Sequence, residues 1–451
     1  MSSIILWLFS ALLFILSIDG TMALRNTIAV FLLFLLMFVT VKTQDPLKIL
    51  KQSKEFKLII ATLVVFVLYV LLHSIFLSHD LSWSLSEFKS HLFYPVLYFS
   101  MGGMLATYVN QHKHLTKEVL ITILFFSIFL HILYLDLVAI DHLFHTGSML
   151  RRFGGLMNSP VMPNYLTNIL LAIIISEFVY RLRVGKKILQ VSNTALYLLL
   201  ILCIFSTFVE ALRLGDIALV FLGIGSSMAF LYNNHQYSIN MKRFIATSLI
   251  VILTIPLAYN FITDSRWAKL IETVPLAINT SNSQHWLDRS LPPPKTESGY
   301  AVSGSNYERI SWAVKALEYI AEDPMGIGFG RNAFGHAMEM RHPKLAKRGA
   351  HTHSSILTLT ISVGILGTLI WLAFIFLVSK VAIKEFKSTC SYFSLLTLFA
   401  TMGFVGRSFV DGNMRDHVFL QFMLILGVSL FFLFQEKINA HKQEDIFYSF
   451  K

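Results

Sequence analysis

Apolar residues run along this chain in repeated stretches that are separated by short polar segments. Many of the stretches approach the roughly 20 residues that an α-helix needs to cross the hydrocarbon of a bilayer. The pattern predicts an all-α polytopic membrane protein with about twelve transmembrane helices. The predicted spans are residues 4–18, 26–42, 57–78, 90–109, 118–138, 161–180, 193–211, 214–232, 243–263, 354–379, 389–410 and 416–434.

One polar segment, residues 263–353, is much longer than the others and divides the chain into three parts. We expect about nine spans in residues 1–262, and about three further spans and a tail in residues 354–451. The segment between them is predicted to be one large, partly helical loop outside the membrane.

The loop contains one helix signature. Ser305 and Glu308 have the spacing of a capping box, in which each side chain accepts a hydrogen bond from the other residue's backbone. Apolar residues then recur at helical intervals, which predicts an amphipathic helix over about 306–322. No predicted strand precedes the glycines of residues 326–330, so we interpret them as a structural turn rather than a dinucleotide fingerprint.

Lysine and arginine are concentrated in alternate short loops when the chain is given twelve spans. Short basic loops normally face the cytoplasm. This distribution predicts that both termini are cytoplasmic and that the long loop lies on the opposite side of the membrane. The residues that carry the pattern are Lys42, Lys48, Lys51, Lys54, Lys57, Lys113, Lys117, Arg181, Arg183, Lys186, Lys187, Lys242, Arg243, Lys380, Lys384, Lys387, Lys437, Lys442 and Lys451.

Composition agrees with a membrane location, because 55% of the 451 residues are hydrophobic and only 14% are charged. A soluble domain carries about 25% charged residues. The net charge of +11 is scattered over short loops, so membrane topology explains it better than nucleic-acid binding does. Cys203 and Cys390 suggest no disulfide framework. The long loop lacks a nucleotide-binding motif, which disfavours an ATP-driven transporter.

The end of the long loop, from Arg331 to His353, is rich in basic residues and histidines. It is either a solvated face that touches anionic headgroups or a binding site for an anionic substrate. His351 and His353 have the spacing of a pair of metal ligands. The neighbouring basic residues would repel a cation, however, and no carboxylate is near in sequence, so no metal is predicted.

Ionisable groups beside the spans are functional candidates by default, because charge is costly at membrane depth. Arg213 lies between two apolar runs, where it either binds substrate or pairs with a nearby carboxylate. Internal pairing adequately explains Arg407, Asp411 and the following Arg415-Asp416. The external dipeptide Arg151-Arg152 either binds phosphate or lies in water.

These external arginines and histidines suggest one kind of chemistry. Arginine forks match the geometry of phosphate oxygens, and a neutral histidine can take a proton from a hydroxyl. The combination fits transfer chemistry on a lipid-linked phosphate or pyrophosphate at the outer leaflet.

The same region resembles the signature of the O-antigen ligase and polymerase superfamily. The matching stretches are Arg309 through Trp312 to Leu317, Asp323 to Gly330, His351-Thr-His353-Ser-Ser-Ile-Leu357, and Val363-Gly364. Ser206 to Ala218 is similar to the family's Thr-x-Ser-Arg-Gly segment, and Arg407 to Asp416 resembles a pattern more typical of ligases than of polymerases. Ser354 and Ser362 depart from the family's usual Asn and Glu.

The resemblance implies a metal-independent, inverting glycosyltransferase of lipopolysaccharide biosynthesis that needs no cofactor and no ATP. It would lie in a bacterial inner membrane with its active site facing the periplasm. An O-antigen ligase would move a glycan from undecaprenyl pyrophosphate to a sugar hydroxyl of lipid A core, among membrane lipids. The resemblance implies His353 as the catalytic residue and Arg213 and Arg309 as pyrophosphate ligands. Weaker candidates for pyrophosphate binding are Arg331 and Arg348, and residues that could hold the acceptor or support the site are His351, Trp312 and Asp411.

Three alternatives remain open at this level. An O-antigen polymerase would use the same donor but join it to another lipid-linked repeat unit, and an oligosaccharyltransferase would place the glycan on protein. A transporter of lipid-linked glycans would not be an enzyme at all. It would place charged residues along a path through the midplane, whereas the conspicuous charges here gather toward one face.

Overall fold

The protein is an all-α polytopic membrane protein. The computed structural model describes residues 2–43, 48–112, 114–157, 159–210, 223–228, 231, 238–263, 265–296, 299–343 and 350–449. In the first part of the chain the helices are α1 (Ser2–Ile15), α2 (Met22–Thr43), α3 (Lys48–Gln52), α4 (Lys54–Phe76), α5 (Leu81–Phe88), α6 (Tyr94–Gln111), α7 (Lys117–Thr146), α8 (Val161–Val184) and α9 (Asn193–Glu210). A π-helical turn, Lys89–Phe93, joins α5 to α6.

Further along the chain, the described helices belong to the last spans and to the long loop. They are α10 (Ile239–Thr263), α11 (Ser265–Ile278), α12 (Gly304–Glu322), α13 (Ala333–Arg341), α14 (Ser355–Thr389), α15 (Tyr392–Ser408) and α16 (Asp416–Ser449). Helices α11, α12 and α13 lie in the long loop.

The described residues contain 8 helices long and apolar enough to cross a bilayer. Helix α1 is apolar but has only 14 residues, and α15 has 17. Eleven predicted spans coincide with described helices, whereas the span at 214–232 lies mostly outside the described residues. The total of twelve spans therefore stays a prediction.

Helix α16 lies at the centre of the bundle, and 94% of its most apolar window is buried. It packs closely on α6 because glycines face each other. A Cβ added to Gly102 would lie 2.3 Å from the Leu424 carbonyl oxygen, and one on Gly427 would lie 2.1 Å from the Phe99 carbonyl oxygen. Small residues allow this close approach of two membrane helices.

Several of the predicted basic positions meet at one end of the bundle. Lys384 and Lys437 both pair with Glu55, at 2.8 and 3.4 Å. Lys117 pairs with Glu436 at the same end. The starts of α4 and α7 therefore lie beside the ends of α14 and α16, as the predicted alternation requires. The long loop covers the opposite end.

The loop helices form a small core of their own around Trp286, Tyr307, Trp312 and Phe334. Helix α12 begins two residues before the predicted start at 306. The predicted capping box is wrong, because Ser303 occupies the N-cap without a side-chain hydrogen bond. Glu308 instead accepts a 2.6 Å hydrogen bond from Arg289, which ties α12 to the preceding segment. Helix α11 was not predicted.

The glycine run after α12 forms a turn that docks on a kink in α14. Gly364, in the first part of α14, has φ +73°. The Ile327 N–H donates to the Ile361 carbonyl at 2.9 Å. A Cβ on Gly326 would lie 2.4 Å from the Gly364 nitrogen. Ser362 completes the joint, since its hydroxyl donates to the Gly330 carbonyl at 3.0 Å. The turn therefore aligns the loop with the first part of α14.

Candidate functional site

Three segments converge at the end of the bundle that carries the loop. They are α12, the residues just before α14, and the connection between α15 and α16. Together with the α7–α8 connection and α11 they enclose a cavity of about 680 Å³. Its polar and charged lining residues are Arg152, Ser159, Lys269, Ser303, Ser305, Asn306, Arg309, His351, Thr352, His353, Ser354, Asp411 and Arg415.

His351 and His353 form a contact pair on the wall of this cavity, with ring centroids 3.8 Å apart. Trp312 stacks on His353 with an interplanar angle of 7° and a centroid distance of 6.2 Å. The indole is itself held, because its N–H donates to the Trp286 carbonyl at 2.9 Å. The His353 backbone has φ +52°, a left-handed conformation that is rare outside glycine and asparagine. The contacts with His351 and Trp312 therefore fix the position of this imidazole.

Burial keeps both imidazoles neutral. Desolvation, together with the neighbouring His351 and Arg309, lowers the pKa of His353 to about 3. Desolvation also lowers the pKa of His351 to about 4, with a contribution from the Arg415 guanidinium. A neutral imidazole has a free lone pair, so it can accept a proton from a hydroxyl placed beside it.

Four cationic side chains line the same cavity: Arg152, Lys269, Arg309 and Arg415. Burial lowers the pKa of Arg309, and its Nε atom has no hydrogen-bond partner among the described residues. A buried Nε–H group without an acceptor is costly unless a ligand supplies one. The cavity therefore suits an anionic ligand.

Asp411 also lines the cavity, but its carboxylate is already hydrogen-bonded within the protein. It accepts hydrogen bonds from the Tyr165 hydroxyl at 2.7 Å and from Arg407 at 3.2 Å. Burial raises the pKa of Asp411, but Arg407 and the Tyr165 hydrogen bond outweigh it and the pKa is lowered. The Asp411 carbonyl accepts from the Ser355 N–H at 2.9 Å, which fixes the start of α14. The expected Arg407–Asp411 pair is present.

Arg331 does not line the large cavity. It faces a second cavity of about 30 Å³ on the other side of the histidine pair. Its guanidinium donates to Asp416 at 3.0 Å, and its backbone N–H donates to Glu87 at 2.9 Å. This position favours a structural role over the pyrophosphate contact suggested by the sequence. Arg213 and Arg348 lie outside the described residues.

The structure adds Arg415 and Lys269, which the sequence had not assigned to the site, and places Arg152, a possible phosphate ligand in the sequence, on the cavity wall. Arg415 was expected to pair with Asp416, but Asp416 pairs with Arg331. Arg415 instead lines both cavities beside the histidines. Arg152 has a left-handed backbone, φ +59°, held by a 2.7 Å hydrogen bond from its N–H to the Val209 carbonyl. Lys269 lies on α11, a helix that the apolar pattern of the sequence did not predict.

The fold and the site thus define a multi-pass membrane protein with a cation-lined cavity around two neutral histidines. No family model matches the chain. An O-antigen polymerase of Salmonella muenchen is 29% identical over 115 residues, which cover 24% of this chain. The chain matches only 28% of that protein's length. The similarity supports a relationship to the O-antigen ligase and polymerase superfamily and does not separate ligase from polymerase.

Proposed function

We propose that the protein is a membrane glycosyltransferase that moves a glycan from undecaprenyl pyrophosphate to a sugar hydroxyl of lipid A core at the periplasmic face of the inner membrane. The observation that carries this proposal is the neutral His353 on the wall of a cavity that also holds Arg309 and Arg415. A hydroxyl nucleophile needs a base, and a pyrophosphate leaving group needs cations.

The proposed reaction breaks the bond between the anomeric carbon and the pyrophosphate oxygen, and forms a bond from that carbon to the acceptor oxygen. The acceptor proton passes to His353. The bonding electrons leave with the pyrophosphate, where Arg309 and Arg415 stabilise the growing negative charge. Arg213 and Arg348 remain proposed ligands of the same group. Inversion at carbon follows when the acceptor attacks from the side opposite the pyrophosphate.

The supporting residues act through position. Trp312 and His351 hold the His353 ring by contact. Asp411 holds the start of α14, through its carbonyl, against the bundle. Helix α12 covers the site and so reduces the access of water, whose attack on the donor would be the competing reaction.

The second candidate is an O-antigen polymerase, and the name of the similar Salmonella protein favours it. Donor and cavity would be the same, but the acceptor would be another lipid-linked repeat unit. The resemblance of residues 407–416 to ligases favours lipid A core instead.

One transfer assay separates these functions. Purified protein in detergent receives an undecaprenyl-pyrophosphate glycan with EDTA, and either lipid A core or a second donor as the acceptor. We expect transfer to lipid A core, and a loss of roughly 10²- to 10⁴-fold in His353→Gln. His336→Gln is the matched control, because His336 stacks on Trp83 and does not line the cavity. Donor-to-donor extension would make the protein a polymerase, and no transfer at all would refute both.

The arginines can be compared in the same assay. We expect Arg415→Ala to lower kcat/KM for the donor by roughly 10- to 100-fold, because it removes a charge-assisted contact to pyrophosphate. Arg331→Ala should mainly lower the Tm, because it removes the bond to Asp416. Equal losses of kcat/KM for the donor in the two variants would contradict this division of roles.

A further inference from the structure

The large cavity has an apolar rim as well as its cations. Leu270 on α11, Leu317 on α12, and Phe409 and Val410 after α15 all line it. Leu317 is 58% exposed and Phe409 is 59% exposed. The cavity therefore joins a charged interior to an exposed hydrophobic edge, which is the division of a molecule with an anionic head and a hydrocarbon tail.

Phe409 occupies the C-cap of α15, at the level where this membrane helix ends. An exposed apolar side chain at this level lies beside the outer part of the bilayer. Leu317 is different, because it belongs to a loop helix whose exposed side would normally be polar. Leu317 is not on a membrane span, so contact with bulk lipid does not explain its exposure. A hydrocarbon chain that crosses the rim does explain it.

We infer that the exposed residues of this rim, Leu317, Phe409 and Val410, hold the first isoprene units of the lipid-linked donor where its tail leaves the cavity for the membrane. This inference rests on the proposed function and assigns the donor's entry side. The charge of the interior supports the donor as the occupant, since Arg309 and Arg415 would hold the anionic head group that precedes the tail.

The test compares two donors that carry the same glycan pyrophosphate, one on an undecaprenyl chain and one on a short prenyl chain of about two isoprene units. Both are assayed in the same detergent with Phe409→Ser. We expect KM for the long-chain donor to rise roughly tenfold, since a large apolar contact is lost. KM for the short-chain donor should change much less, and its retained turnover would show that the variant folds.

Phe144→Ser is the matched control, because Phe144 is 83% exposed near the end of α7 and does not line the cavity. This variant should leave KM for both donors unchanged. Leu317→Ser repeats the test from a different element, in case Phe409→Ser does not fold.

Three results would overturn the inference. In the first, the rim variants change KM equally for both donors, or change it for neither. In the second, KM rises for lipid A core instead, which would mean that the rim holds the acyl chains of the acceptor. In the third, the Phe144 variant behaves like the Phe409 variant. If the wild-type protein transfers from neither donor, the proposed function itself fails, and the inference fails with it.

Discussion

At the scale of single residues, burial decides what the two histidines can do. His353 and His351 are neutral because an imidazolium would lose its hydration in the site and would face Arg309 and Arg415. The free base is therefore available without deprotonation. The same burial makes the folded protein sensitive to acid, because an unfolded chain would protonate both rings near the ordinary histidine pKa of about 6.5.

The sign of this sensitivity follows from the lowered pKa values of about 4 and about 3. Between these values and about 6.5 the unfolded chain binds more protons, so stability is complete above that range and falls as the pH drops through it. We expect Tm in detergent to fall from pH 7 to pH 4, and to fall less steeply in His351→Gln. Each buried histidine contributes at most about 1.4 kcal/mol per pH unit. Identical slopes for the variant and the wild type would contradict the burial of His351.

The sequence identified part of this residue-scale arrangement. The resemblance selected His353, Trp312 and Arg309. The structure places His353 and Arg309 on the wall of one cavity and stacks Trp312 on His353. Arg415 could not be assigned in the same way. Its role depends on whether Asp416 pairs with it or with Arg331, and only the approach of the loop to the start of α16 decides that.

At the scale of elements, the joint between the glycine turn and α14 aligns the loop with the bundle. Gly364 has a conformation, φ +73° and ψ 178°, that only glycine adopts readily. The sequence showed the glycines and predicted the turn, but it could not show the kink. A glycine within an apolar run is compatible with an ordinary straight helix.

Gly364→Ala should therefore destabilise the protein strongly. A Cβ at this position would lie 2.4 Å from the Met325 carbonyl oxygen, and the backbone would be strained by about 1–3 kcal/mol before any clash. Gly403→Ala in α15 is the control, because a Cβ there meets no atom within 4 Å. Thermal unfolding in detergent should show a clear drop in Tm for Gly364→Ala only. A similar Tm for both variants would mean that the kink is not needed.

At the scale of the whole molecule, apolar runs and basic loops predicted the all-α membrane bundle and the end that carries the loop. Both signals are local in sequence, which is why they could be recognised. Span ends and helix contacts are not local. Helix α14 extends to Thr389, ten residues beyond its predicted end, and α11 follows α10 after a single residue.

The predicted orientation can be tested with single cysteines, in a background with Cys203→Ala and Cys390→Ser. Tyr300 lies in the long loop and is 74% exposed. Lys186 is exposed in the connection between α8 and α9. In intact spheroplasts we expect a membrane-impermeant maleimide to label Tyr300→Cys at once. It should label Lys186→Cys only after permeabilisation, and the reverse order would invert the protein in the membrane.

The left-handed backbone of His353 has a consequence for how this position can evolve. Glycine or asparagine would occupy φ +52° with less strain than histidine does. Selection for stability alone would therefore tend to replace the imidazole, and only selection for activity would retain it. Among descendants of this chain, loss of the histidine would record relaxed selection for the transfer reaction, even where the fold and the membrane spans are unchanged.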